Sequence, residues 1–201
     1  SIMNNLANTY KQIGEVSAAE NLYQKIIKKK PKYINAYINY GNLKKDANNY
    51  KEAIELYNKA LSLNNRMPVV YYSISLAYQG IGDFSSAIEY ANKTLSIEPK
   101  FTQADLLISQ IIKYKENDSH FLEMKTKIDK LELNENQSVN LNFALAKAYE
   151  DINKIEMSFK HLERGNDTKR KNLNYNIEDE IKLFKSIKKN FKEINFDKFK
   201  E

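Results

Sequence analysis

The sequence contains no cysteine, so disulfide staples and thiolate chemistry are both excluded. It has only five glycines and three prolines in 201 residues. So few backbone breakers favour long helices with short connections, and the prolines, at positions 31, 68 and 99, fall where such connections belong. Arginine occurs only at positions 66, 164 and 170, so lysine carries the net charge of +6. Acidic and basic residues mix along most of the chain, which favours a solvated lysine-rich surface over a nucleic-acid patch. No stretch approaches the roughly 18 apolar residues of a membrane span, and no signal peptide is visible. A cytoplasmic location is the expectation. The chain opens Ser1-Ile2-Met3 inside what reads as a first helix, as expected of a piece of a longer protein.

Sites for chemistry are equally sparse. The two histidines, His120 and His161, fall on different units with no cysteine or carboxylate cluster at ligand spacing. A metal needs three or four convergent ligands, so none is expected, and His161 is expected on a helix surface. There is no P-loop, dinucleotide fingerprint or nucleophile elbow. Gly80-x-Gly82 reads as helix-end punctuation. Four Asn-x-Ser/Thr sequons, at Asn92, Asn117, Asn136 and Asn166, are what chance gives in so asparagine-rich a chain.

What the chain does have is a period. Ala19, Ala53 and Ala87 are 34 residues apart, as are Gly14, Asn48 and Gly82, and Pro31, Asn65 and Pro99. Residues 69–99 show the unit best: two amphipathic stretches, a tight turn at Gly82-Asp83, and a closing proline. Alanine fits where two helices cross closely. Glycine or asparagine fits a left-handed helix cap. Lys28, Lys29 and Lys30 suit a helix C-terminus. Most of the 14 tyrosines sit on repeat positions, which makes them core residues with a wet hydroxyl edge rather than stacking platforms.

A helix–turn–helix period of about 34 residues resembles the tetratricopeptide family. Leu6, Ala7, Tyr10, Gly14, Ala19, Tyr23, Ile26 and Pro31 fall on its signature positions. The fold expected is an all-α, right-handed helical solenoid of about five units plus a C-terminal capping helix. Regular units are expected at 1–33, 34–67 and 68–101, with a degenerate unit at 102–137. A fifth unit at 138–171 carries Leu145, Ala146, Tyr149, Asn153, Ser158, Leu162 and Gly165, shifted three residues out of strict phase. Residues 172–201 then supply the capping helix, with Ile181, Phe184, Ile187 and Phe191 at helical spacing, and the start of a linker to a further domain.

The family resemblance implies a concave face lined by the first helix of each unit, where a protein or peptide partner docks. The residues expected to face it are Asn4, Asn8, Lys11, Asn35, Ile38, Asn42, Lys45, Val69, Tyr72, Leu76 and Gln79. Some family members clamp a terminal carboxylate with lysines, an arginine and asparagines; here those positions hold Asn4, Asn8, Asn39, Val69 and Ser73. All the cations are missing, so that clamp is not expected.

A second resemblance is narrower. Phe143 to Asp151, Ser158-Phe159, Leu162, Gly165-Asn166, Arg170 and Tyr175 resemble the bridge that precedes the catalytic domain in bacterial tetratricopeptide sulfotransferases. This implies a positioning module ahead of a domain that binds a phosphosulfate donor. That domain's first strand and P-R-S-G-T-like loop are not in this chain, so no catalytic, cofactor or metal residue is assigned and the chain alone is not expected to be an enzyme. The alternative is a free-standing adaptor that binds a peptide or partner helix in its groove.

Overall fold

In the computed structural model, residues 2–172 and 176–193 are described. All regular structure there is helical. Three hairpins come first: α1 (Ile2–Gln12) with α2 (Val16–Lys29), α3 (Ile34–Asp46) with α4 (Tyr50–Leu63), and α5 (Pro68–Ile81) with α6 (Phe84–Ile97). Next are α7 (Thr102–Ile111), α8 (Ser119–Lys130), α9 (Glu135–Asp151), α10 (Ile155–Asn172) and α11 (Ile177–Glu193).

One cap recurs through the stack. Gly14, Asn48, Gly82 and Asn153 all lie in the left-handed region, at φ 83°, 58°, 86° and 59°. Each is followed by an amide that donates back to a carbonyl five residues earlier: Glu15 to Tyr10 (2.9 Å), Asn49 to Lys44 (2.8 Å), Asp83 to Tyr78 (3.0 Å), Lys154 to Tyr149 (2.9 Å). This satisfies carbonyls that the helix end would otherwise leave bare, and it reverses the chain within two or three residues. At the start of α6, the Asp83 side chain accepts from the Ser86 amide, and Pro68 opens α5 where its missing N–H costs no bond.

Helices meet on small residues. Ala7, Ala19, Ala36, Ala53, Ala60, Ala77, Ala87, Ala91 and Ala104 are fully buried, which lets neighbouring backbones approach. Larger side chains then fill beside them. A Cβ on Gly41 would sit 2.6 Å from the Tyr57 ring, and one on Gly80 would sit 2.5 Å from that of Tyr50. Gly80 is therefore a packing position inside α5; only Gly82 punctuates. Each second helix of the first three hairpins packs on its own first helix and on the next unit's first helix.

Unit four departs from this plan. α7 packs on α6 and on α9, and α8 packs on α9, with residues 112–118 running between them as non-helical chain. No alanine or glycine pair marks an α7–α8 crossing. Instead, buried Asp105 of α7 accepts from Lys127 Nζ (2.6 Å) and meets His120 Nε2 (3.1 Å), both on α8. Tyr114, also buried, bonds His120 Nδ1 at 2.7 Å, and its amide donates to Asp151 of α9 at 3.1 Å.

The expected capping helix forms as α11. Its Ile181, Phe184, Ile187 and Phe191 are exposed, as are Ile155, Phe159 and Leu162 on α10. Tyr175 and residues 194–201, expected to begin a linker, lie outside the described residues.

Candidate partner-binding groove

The first helices α1, α3, α5, α7 and α9 supply the face on which a partner was expected. Several residues assigned to that face bond within the chain instead. Asn4 is buried, and its Oδ1 accepts from Asn39 at 3.2 Å. Asn8 accepts from the Tyr23 hydroxyl at 2.6 Å, and Asn42, one period later, accepts from Tyr57 at 2.7 Å. Burial pushes both phenols above their usual pKa, so they stay donors. Lys11 and Lys45 both reach Asp46, at 2.6 and 3.7 Å, so the two cations share one carboxylate. Ile38 packs half-buried in the core of unit two.

In unit three the asparagine–tyrosine ladder stops, because Leu76 and Ala91 occupy its positions. Tyr72 turns partly inward, with its ring 5.0 Å from that of Phe101, and Leu76 is half-buried beside it. Val69 stays exposed, as does Asn35, and Gln79 is half-buried. The predicted residues thus form a stripe rather than a pocket.

The stripe deepens further along. Adding one period to Val69 gives Gln103, and to Tyr72 gives Leu106; a further period plus the three-residue slip gives Asn140 and Phe143. These four line a recess of about 510 Å³ between α7 and α9. Asn136 and Val139 of α9 and Lys169 of α10 complete its wall. Gly165 shapes it, because a Cβ there would lie 2.9 Å from Phe143. The residues expected from the sequence end at Gln79 in unit three, although the period, carried across the slip, points to these positions as well.

The structure corrects the placement of one histidine. His161 is not on the helix surface: it is buried, stacks on Tyr149 at 5.3 Å, and bonds Asn142 at 2.8 Å. Burial, with Arg164 and Lys160 nearby, lowers its pKa. His120 belongs to the Asp105 network, whose acid, imidazole and phenol face one another rather than a cavity. Among the described residues no three His, Asp or Glu side chains cluster as a metal site would require, and no helix is long and apolar enough to cross a membrane.

Three family models match parts of the chain: "Tetratricopeptide repeat" over residues 1–29, "TPR repeat" over 41–82, and "Fis1 C-terminal tetratricopeptide repeat" over 69–118. No curated protein matches the sequence. Among solved structures, one of MamA aligns at 17% identity with a TM-score of 0.66, covering 84% of this chain and 97% of that one. YrrB, described as a TPR protein with an unusual peptide-binding site, aligns at 17% identity with a TM-score of 0.60, covering 83% and 84%. Identity this low speaks to fold. The chain therefore carries tetratricopeptide repeats over the matched residues and folds as a helical solenoid of that type.

Proposed function

We propose that this chain is a protein-interaction module that holds an extended partner segment along the first-helix stripe, seated in the recess between α7 and α9. The observation that carries the reading is the continuity of two repeat positions, from Asn35 and Ile38 through Val69 and Tyr72 to Gln103 and Leu106, into the wall of that recess. Leu106, Val139 and Phe143 offer an apolar floor, and Gln103, Asn136 and Asn140 offer amides that both donate and accept, as an extended backbone requires. The peptide-binding description of YrrB supports the same class of partner. The test is peptide binding by Val139→Glu, which puts a charge on the floor without touching the alanine crossings. We expect loss of binding with unchanged far-ultraviolet circular dichroism; unchanged binding sinks the reading.

The finer reading sets this module ahead of a sulfotransferase-like catalytic domain, which would bind the phosphosulfate donor, and keeps it in the cytoplasm. The catalytic-domain part of it rests on the second resemblance. Of the matching positions in α9 and α10, Ala144, Leu145, Ala146, Ala148, Tyr149 and Ser158 are buried and Gly165 lies against Phe143, whereas Phe159, Leu162, Asn166 and Arg170 are exposed. Reading the coding sequence beyond Glu201 decides it. An apolar strand and a phosphate-binding loop support the module, and a stop codon leaves the adaptor.

A further inference from the structure

We infer that the segment seated in the α7–α9 recess carries an apolar side chain with a carboxylate beside it, and that Lys169 reads the carboxylate. The inference rests on the groove reading above and names the partner's chemistry.

Charge is the first argument. Lys11 and Lys45, cations of the stripe, share the single carboxylate of Asp46, at 2.6 and 3.7 Å. Lys169 lines the recess and has no carboxylate partner among the described residues, and no acidic side chain lines the recess with it. An arriving carboxylate would meet a cation with no competing acid at hand. It would form a charge-assisted hydrogen bond at the edge of an apolar floor, where partial desolvation strengthens it.

Geometry is the second. Gly165 and Lys169 lie four residues apart on α10, and so on one face of that helix. Gly165 lets the Phe143 ring lie against the α10 backbone, so the apolar floor and the ammonium are set by the same turn of helix. An apolar side chain on Phe143, Leu106 and Val139 therefore leaves its neighbours in the segment within reach of Lys169. The amide rim of Gln103, Asn136 and Asn140 is neutral and does not discriminate by charge. Sign selectivity falls to one residue.

The test is selection of random peptides displayed on phage against the full chain, run in parallel on Lys169→Glu, with Val139→Glu as the recess-blocked control. Lys169 is exposed near the end of α10, so reversing its charge leaves the packing intact. Peptides taken by the unmodified chain should share an Asp or Glu within two positions of an apolar residue. Replacing that acid with its amide should weaken binding about threefold to tenfold, and raised salt should narrow the gap. Lys169→Glu should instead select Lys or Arg beside the same apolar residue. Peptides that depend on Val139 but show no acid preference, or keep it in Lys169→Glu, overturn the inference and leave the groove reading standing. Peptides indifferent to Val139→Glu, or no selected peptides at all, overturn the groove reading and this inference with it.

Discussion

Gly41→Ala sets two rules against each other. In the middle of a helix, alanine is favoured over glycine by about 1 kcal/mol, because glycine loses more backbone freedom on folding. At position 41 the new methyl would lie 2.6 and 2.9 Å from two atoms of the Tyr57 ring, and the ring would have to retreat by close to an ångström to reach ordinary contact. Tyr57 has nowhere to go: it is fully buried, and its hydroxyl is held by Asn42 at 2.7 Å. Overpacking of this kind costs about 1–3 kcal/mol, and loosening the phenol–amide bond adds about 1 kcal/mol. Steric cost exceeds propensity, leaving a net loss of about 2 kcal/mol. For a chain of this size that lowers the thermal midpoint by about 4–8 °C. The assay is thermal unfolding followed by circular dichroism, alongside Gly165→Ala, where the obstructing Phe143 is half-buried at the edge of the recess and can slide, so the midpoint should barely move. A raised midpoint for Gly41→Ala would refute the reasoning, because it would mean that Tyr57 yields freely.

Two further predictions concern buried polar groups. Asp105→Leu strips the carboxylate from Lys127 and His120 and should cost about 3–5 kcal/mol, since it leaves a largely buried ammonium unpaired; adding Lys127→Met should recover most of that loss, as a double-mutant cycle in urea would show. For His161, burial lowers the folded-state pKa below the unfolded value of about 6.5, so the unfolded chain binds more protons between the two. The stabilising contribution is complete above that value and is lost as pH falls through the folded-state pKa. Urea midpoints should fall between pH 7 and pH 5, and His161→Gln should flatten the slope; an equal slope in the variant would exclude His161 as its source.

Most of the fold was legible because the period repeats small residues at crossings and left-handed residues at turns. Both are backbone requirements that a sequence states directly. Gly14, Asn48, Gly82 and Asn153 are one solution to one turn, repeated. The groove was less legible because side chains at equivalent positions have different fates. Asn8 and Asn42 look like partner contacts in sequence, yet each is taken by a tyrosine fifteen residues away. Unit four was the least legible. Its helices are joined through Asp105, His120 and Lys127, and no local pattern marks residues separated by fifteen and twenty-two positions as one network. His161 was misplaced for a related reason: a polar residue facing Gly165's side of α10 reads as surface until Asn142 and Tyr149 are placed opposite it.

The way α8 is attached has a consequence for how the molecule opens. In a solenoid each element is held by its neighbours in the stack, so local unfolding normally starts at the ends and moves inward. α8 sits mid-chain but beside the stack, resting on α9 and bonded to α7 through Asp105. Its detachment would expose Phe121 and Met124 and break the Asp105 bonds, yet leave the contacts of α7 with α6 and α9 in place. Amide exchange would then show an internal segment, residues 119–130, opening at lower free energy than the helices on either side. The solenoid would keep its length while it happens, with a loop let out from its flank.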